Sequence, residues 1–402
     1  MVGEILLALI IGVLCGIVTG LVPGIHVNLV SATVLSLSGY LLSITSAFAL
    51  SVFLASLALT HTFLDAIPSI FLGAPDPDMV LSVLPVHQML LEGRGYDAVK
   101  LTVIGSLFSL LAIVACTPLV IPLLPLAYML IEPVMGYLLI AVVFFMIMIE
   151  KGKGKFFGIY IFLQAGTLGL IVLNMPSLDQ PLFPMLTGLF GISTLLLSLG
   201  EKSVLPKQQT GLPMVLEKKE TVKAVFAGLF SGALAGLLPG LGSAQASILG
   251  MLIAGKNMGR EAYLILVGGI NTVNFAFSLA TFYVLDKARN GAIVAVSFLI
   301  DTITIRQMMI IMACFLIVAG LASALTLWIA GVFAHAFSKI DSRKLSFIIL
   351  CFVTLLVFAL THWLGLFVML ASTAVGLMPP LVGVKRSLNM GCLLLPVILY
   401  FV

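Results

Sequence analysis

The stretch Gly16-Ile-Val-Thr-Gly20-Leu-Val-Pro23-Gly24 has a near copy in Gly232-Ala-Leu-Ala-Gly236-Leu-Leu-Pro239-Gly240. Both copies lie in long apolar segments. Proline inside a helix removes a backbone hydrogen bond and clashes with the preceding turn. We therefore predict two membrane helices that are interrupted at matched points, Pro23-Gly24 and Pro239-Gly240. Interrupted helices at membrane depth usually line a substrate site.

The similarity continues on both sides of the Pro-Gly pair. A shift of 216 positions aligns the copies without a gap, and further identical pairs are Gly12 with Gly228, Ser31 with Ser247 and Gly39 with Gly255. Glycine is common in membrane helices, but the retained spacing indicates an internal duplication. We predict membrane repeat 1 at residues 1–200, a linker at 201–223 and membrane repeat 2 at 224–402.

The composition is that of a membrane protein. Hydrophobic residues make up 61% of the 402 residues and charged residues 9%, and the mean hydropathy is +1.25. A helix needs about 20 apolar residues to cross the hydrocarbon layer, and runs of that length recur between short charged loops. We predict an all-α polytopic membrane protein with about 10 to 12 transmembrane segments. The first run begins with Glu4 and not with basic residues, so we expect it to remain in the fold and not to act as a cleaved signal.

Several other classes of protein are disfavoured. The five cysteines lie singly in apolar runs, which argues against a disulfide framework or a thiolate metal site. The net charge of +4 is small and gives no indication of nucleic-acid binding. We predict no cofactor and no metal centre, with Na⁺ or H⁺ as the coupling ion of a transporter.

The distribution of basic residues predicts the orientation in the cell membrane. Lysines are frequent in the loops 151–155 and 201–223, whereas the turn between them, residues 174–184, has no Lys or Arg. The positive-inside rule places both basic loops in the cytoplasm. Hydropathy leaves open whether the two repeats are parallel or inverted.

The half-helix that begins after each Pro-Gly pair is a candidate anion site. Its first amide protons have no helical partner and form the positive end of the helix dipole. The polar residues in these first turns are His26, Asn28 and Ser31 in repeat 1 and Ser243, Gln245 and Ser247 in repeat 2. Such neutral groups suit a site that binds a carboxylate without burying a permanent charge. The alternative is that they only cap the half-helices.

Asp65 is the acidic residue that lies deepest in an apolar run, with His61 one turn before it. A carboxylate at the bilayer centre costs at least about 2.5 kcal/mol, so it normally faces a cavity or a partner. We predict Asp65, with His61 on the same helix face, as the cation-coupling group. A purely structural pair is the alternative.

Two amides, Asn271 and Asn274, occupy one face of an apolar run in the second half. They either bridge helices or bind a cation and a substrate.

The Pro-Gly motifs are accompanied by four further motifs: Ile67-Pro-Ser-Ile-Phe-Leu-Gly-Ala-Pro75, Glu92-Gly-Arg-Gly-Tyr-Asp-Ala-Val-Lys100, Gly242-Ser-Ala-Gln-Ala-Ser247 and Asn271-Thr-Val-Asn274. In order and spacing the whole set resembles the large membrane subunit of the tripartite tricarboxylate transporters, the TctA family. The resemblance covers roughly residues 10–110 and 225–290.

This resemblance implies a permease, not an enzyme, that moves small carboxylates by symport with a cation and holds them between the two Pro-Gly hairpins. It also implies two protein partners, a small membrane subunit and an extracytoplasmic binding protein. The chain departs from the family pattern at residues 73–78 and 86–88, so a divergent relative that works alone, or as a homo-oligomer, stays open.

Two other functions remain open from the residues. The same half-helix ends suit the phosphate of a lipid-linked substrate, and the chain would then be a transporter or flippase of that lipid. An intramembrane hydrolase using Asp65 and His61 is disfavoured, because the sequence offers no second buried carboxylate and no serine elbow.

Overall fold

The computed structural model describes residues 2–22, 27–72, 79, 83–148, 150–178, 181–200, 206–210, 217–238, 241–255, 258–337 and 342–402. These residues form helices and connecting turns, with no strand among them. The predicted all-α membrane class is confirmed.

The first half contains twelve described helices. They are α1 (Val2–Leu21), α2 (Val27–Ser36), α3 (Ser38–Leu41), α4 (Ala47–Leu64), α5 (Ala66–Phe71), α6 (Val83–Leu91), α7 (Gly95–Val120), α8 (Leu124–Ile131), α9 (Met135–Met148), α10 (Gly154–Leu173), α11 (Leu182–Leu186) and α12 (Ser193–Gly200). Short 3-10 turns that each contain a proline separate α7, α8 and α9. Proline cannot donate the helical hydrogen bond, which explains these breaks.

The second half contains seven described helices, among them the longest of the chain. They are α13 (Lys218–Leu237), α14 (Ser243–Ala254), α15 (Arg260–Leu285), α16 (Gly291–Leu299), α17 (Ile305–Phe337), α18 (Ser342–Val382) and α19 (Gly391–Phe401). Helix α18 is kinked at His362, whose φ is 54°.

Eight of the described helical segments are long and apolar enough to cross a membrane. They are Val2–Leu21, Ala47–Phe71, Gly95–Met148, Gly154–Leu173, Lys218–Leu237, Arg260–Leu285, Ile305–Ala336 and Phe347–Val382. The sequence predicted about 10 to 12 crossings. The segment Gly95–Met148 has 54 residues, far more than the roughly 20 that one crossing needs. Helix α14 and the stretches Leu182–Leu197 and Arg386–Phe401 are apolar but shorter than 18 residues.

Helix α1 packs along α4 through a row of glycines. A Cβ atom placed on Gly16 would lie 2.6 Å from the carbonyl oxygen of Leu57, and one on Gly12 would lie 2.6 Å from that of Phe53. The absence of side chains therefore lets the two backbones approach closely. Because the contact moves forward along both helices, α1 and α4 are parallel.

Helix α13 packs along α15 in the same way. Gly232 faces Ile270 and Val273, and Gly236 faces Asn274 and Phe277. These two helices are also parallel. The row of glycines that the sequence repeats at a spacing of 216 thus makes the same kind of helix contact in each half.

The two helix pairs run in opposite directions. Gly95, at the start of α7, lies beside the ring of Phe71, at the end of α5. In the same α6–α7 turn Arg94 forms an ion pair with Glu261, at the start of α15, with a distance of 3.1 Å. The end of α4–α5 and the start of α15 therefore lie at one end of the molecule, so α4 and α15 are antiparallel.

In each half, one helix packs against a buried helix of the other half. Helix α7 packs on α15 and α17 packs on α4. The α7–α15 crossing is very close, because a Cβ on Gly105 would overlap the carbonyl oxygen of Ile265. The two halves are thus interlocked around α4 and α15. Helices α9, α10, α11, α12, α18 and α19 form a second group that packs mainly within itself.

A short piece of the linker, residues 206–210, is fixed against the α6–α7 turn. The side chain of Gln208 is buried, accepts a hydrogen bond from Gly95 N at 3.0 Å and donates one to Leu90 O at 2.9 Å. Gln209 N donates to Gly93 O. The connection between the halves is therefore anchored at this point.

Candidate functional site

Helices end and begin on either side of both Pro-Gly pairs. Helix α1 ends at Leu21 and α2 begins at Val27, while α13 ends at Leu237 and α14 begins at Ser243. Leu238 and Gly242, which flank the second gap, have extended backbone conformations. Five predicted site residues, Pro23, Gly24, His26, Pro239 and Gly240, lie outside the described residues.

The first turn of α14 is buried, although it is polar. Ser243, Gln245 and Ser247 are all at most 4% exposed. The hydroxyl of Ser247 donates to the carbonyl oxygen of Ala244 at 2.7 Å, which is a local helix contact. Within the described chain, Oε1 of Gln245 has no hydrogen-bond partner. A buried carbonyl oxygen without a donor is costly, so this atom is suited to receive a donor from a guest.

Ser31 of α2, like Gln245, carries a buried polar atom without a hydrogen-bond partner among the described residues. It is 2% exposed, and its hydroxyl has no hydrogen-bond partner among the residues placed by the structure. A half-helix of each half therefore presents one buried polar atom that has no hydrogen-bond partner among the described residues. This resemblance lies in local structure, since the two residues do not occupy matched positions in the sequence repeat.

Asn28 in the first turn of α2 lies against the first turn of α16. A Cβ on Gly291 would overlap Oδ1 of Asn28. Only glycine permits this approach. The preceding residue, Asn290, caps α16 by accepting a hydrogen bond from Ile293 N at 2.9 Å. The start of α16 is therefore a neighbour of the predicted site, which the sequence did not indicate.

Asp65 lies at the junction of α4 and α5 and is 2% exposed. Its Oδ2 atom accepts a hydrogen bond from Nδ2 of Asn271 at 2.6 Å. Two of the residues predicted from different halves are thus brought together by the antiparallel crossing of α4 and α15. Beside them, the hydroxyls of Thr62 and Thr272 are 3.3 Å apart. A hydrogen bond to a buried carboxylate is among the stronger kinds.

His61 and Asp65 share a face of α4, as predicted, but each contacts a different neighbouring helix. His61 is buried, and its Nδ1 lies 3.2 Å from Oγ1 of Thr19 on α1. Sequence reasoning missed Thr19, because a threonine in an apolar helix is ordinary.

Asn274 connects α15 to the second half-helix. Its Nδ2 donates to Oγ of Ser243, in the first turn of α14, at 3.1 Å. The two predicted amides therefore bridge helices, with Asn271 joined to α4 and Asn274 joined to α14. In the part of the chain that the structure covers, no three His, Cys, Asp or Glu residues are grouped as metal ligands would be.

Comparison with known proteins agrees with this architecture. The sequence model described as "Tripartite tricarboxylate transporter TctA family" matches residues 6–391. An uncharacterized protein of Methanocaldococcus jannaschii is 28% identical over 406 aligned positions, which cover 98% of each chain. No solved structure matches the chain. Since the match to the family extends over nearly all of the sequence, the resemblance seen in the motifs is confirmed, and the chain belongs to the TctA family of the tripartite tricarboxylate transporters.

Proposed function

We propose that the chain is a secondary-active permease that moves a small organic anion of the di- or tricarboxylate type, driven by a gradient of Na⁺ or H⁺. Membership of a transporter family supports a permease over an enzyme. The helix directions support two inverted repeats, because α1 and α4 run opposite to α13 and α15. Inverted repeats with interrupted helices are a common basis of alternating access.

The observation that carries the proposal is the pair of unsatisfied polar atoms on the half-helices. Oγ of Ser31 and Oε1 of Gln245 are buried and have no partner within the described residues. Proteins rarely tolerate such groups unless a ligand or water completes them. In our proposal the substrate lies between the starts of α2 and α14, where amide protons and the hydroxyl of Ser31 donate to its carboxylates. Oε1 of Gln245 can only accept, so it binds a hydroxyl or a protonated carboxyl of the substrate, or the coupling cation. Pro23, Gly24, His26, Pro239 and Gly240 complete this cradle.

We propose that Asp65 couples transport to the cation. The carboxylate is buried between the halves and is bound by Asn271 of the opposite half. A cation or proton that binds Asp65 would change this contact, and with it the fit between α4 and α15. His61 supports the site from the side of α1 through Thr19.

Uptake into proteoliposomes tests the function directly. We expect the wild-type protein to accumulate radiolabelled citrate or succinate in the presence of a Na⁺ or proton gradient and not in its absence, at a rate below that of whole cells, which also contain its partners. Gln245→Leu and Ser31→Ala should abolish most of this uptake and leave thermal stability unchanged, because neither atom has a partner in the described protein.

A matched control is Ser372→Ala. Ser372 is also fully buried, and its hydroxyl also has no partner in the described chain, but it lies on α18 in the second helix group. This variant should retain uptake. If the wild-type protein moves no carboxylate under any gradient but moves a polyprenyl phosphate, the lipid-linked function is correct instead.

We also propose the two partners that the family name implies, a small membrane subunit and an extracytoplasmic binding protein. Uptake by the chain alone at the rate found in whole cells would contradict this.

A further inference from the structure

The turn between α15 and α16 carries two cations on one aromatic ring. Lys287 Nζ lies 4.1 Å from the centroid of the Tyr128 ring, and the guanidinium carbon of Arg289 lies 5.3 Å from it. Cation–π contacts of this kind position a guanidinium but do not neutralise its charge.

The neighbouring carboxylate pairs with only one of these cations. Lys287 Nζ is 2.9 Å from the hydroxyl of Tyr128 and 3.8 Å from Oε1 of Glu132. Tyr128 in turn donates to Glu132. Arg289 has no ion pair in the part of the chain that the structure describes. Glu132 is therefore paired with Lys287, whereas the charge of Arg289 is not paired with a carboxylate among the described residues.

The guanidinium of Arg289 is also incompletely hydrogen-bonded. Its Nε and Nη2 atoms are shielded from solvent, and among the described residues neither has an acceptor. Shielding a charged donor without an acceptor is strongly unfavourable. Nε and one Nη nitrogen form the fork that binds carboxylate or phosphate in a bidentate manner. A carboxylate or a phosphate would supply the two acceptor oxygens that this fork lacks among the described residues.

The backbone of Arg289 lies close to the first turn of α2, which forms one side of the proposed substrate cradle. Arg289 precedes Gly291 by two residues, and Gly291 is in contact with Asn28 in the first turn of α2. Two residues span at most about 7 Å. The capped start of α16, which follows Arg289 directly, adds the positive end of a helix dipole to the same place.

We infer that Arg289 binds one carboxylate group of the transported anion and thereby selects substrates that carry at least two negative charges. This inference rests on the proposed transport function. The amides of the half-helices would hold one carboxylate, and Arg289 would pair with a second one. A monocarboxylate would then leave Arg289 unpaired and bind more weakly.

The test compares anion binding by purified variants in detergent. Dissociation constants for succinate, citrate, inorganic phosphate and acetate are measured from the increase in melting temperature. Arg289→Gln should weaken the binding of succinate and citrate about 10- to 100-fold, which is the loss expected for a charged hydrogen-bond pair. The affinity for acetate should change little. Arg289→Lys should be intermediate, because it keeps the charge but not the fork.

Lys287→Gln is the matched control. It removes the same charge two residues away, but Lys287 already has Glu132 and Tyr128 as partners. Its affinity for citrate should stay within about threefold of the wild type. Equal citrate affinity in the Arg289→Gln variant and the wild type would overturn the inference, and Arg289 would then be only a stacking partner of Tyr128.

The outcomes separate this inference from the transport proposal. If carboxylates are transported and Arg289→Gln has unchanged KM and unchanged preference for dianions, the inference fails while the transport function stands. If no carboxylate is transported, the transport function fails, and binding then decides only whether Arg289 holds a carboxylate. Stabilisation by citrate that depends on Arg289 supports that part of the inference, and stabilisation only by phosphatidylglycerol added to the micelles would overturn it in favour of a lipid headgroup site.

Discussion

The two halves of the chain share a scaffold but differ in chemistry. Matched glycines pack α1 on α4 and α13 on α15. The polar groups on these buried helices match only in part: the matched glycines Gly20 and Gly236 meet His61 and Asp65 in one half and Asn274 and Ser278 in the other, while Asn271 lies where the first half has Ala58. One half thus provides an acid and a histidine, and the other half provides two amides.

This difference shows which contacts depend on shape and which depend on function. Close helix contacts require glycine in both halves, because any side chain would overlap the neighbouring backbone. The polar positions have no such packing requirement. Among the described residues the two sets meet at the interface of the halves, where Asn271 binds Asp65.

The largest expected effect comes from breaking the scaffold where the halves interlock. Gly105→Ala would force a methyl group into the carbonyl oxygen of Ile265, and we expect a loss of about 3 kcal/mol or more in the free energy of unfolding. Thermal unfolding in detergent measures it. Gly320→Ala is the control, because a Cβ there meets nothing within 4 Å. Equal melting temperatures for the two variants would contradict the close crossing of α7 and α15.

The second-largest effect is expected on cation coupling, and not on folding, when Asp65 is replaced. Asp65→Asn keeps the shape of the side chain and removes its charge, so we expect the protein to fold and substrate flux to lose its dependence on the cation gradient. Uptake at varied Na⁺ and pH measures this. Ser278→Ala, at the position of the second half that the glycine contacts match to Asp65, should keep the dependence. Full cation dependence in Asp65→Asn would show that Asp65 is not the coupling group.

The two amides of the second half should differ in their effect on stability. Asn271→Ala removes a donor from a buried carboxylate, and we expect a loss of about 2 kcal/mol. Asn274→Ala removes a bond to the neutral hydroxyl of Ser243, and we expect about 1 kcal/mol. Chemical unfolding of both variants gives the difference. The reverse order would mean that the contact with Asp65 contributes little.

The smallest effect is expected at the exposed ion pairs that join the halves at one end. Arg260 donates two hydrogen bonds to Glu92, at 2.7 and 3.2 Å, and these bonds lower the pKa of Glu92 below its usual value. The ion pair therefore contributes fully to the free energy of unfolding at pH values above the pKa of Glu92 in the unfolded state, about 4.3. This contribution is lost as the pH falls through the lower pKa of Glu92 in the folded state.

Because this pair is largely exposed, its contribution should be at most about 1 kcal/mol. Glu92→Gln should lower the melting temperature slightly at pH 7 and have less effect at pH 3. A constant difference between the two pH values would argue against the ion pair.

The sequence predicted the membrane class, the family and the places where helices stop, because composition, glycine spacing and proline act locally. It did not predict which polar residues meet. Asp65 and Asn271 are 206 positions apart and come together only through the antiparallel crossing of α4 and α15. The sequence also gave no reason to select Arg289, since a single arginine in a polar turn is ordinary until its missing acceptor is seen. The roles of the site residues remain predictions.

The exchange of covering helices between the halves has a consequence for biosynthesis. Helix α4 is synthesised early, but its cover, α17, follows more than 200 residues later. A ribosome that has completed only the first half has therefore inserted helices whose final neighbours do not yet exist. Assembly of this core must wait until translation has passed residue 337, and premature termination before that point would leave α4 without its partner.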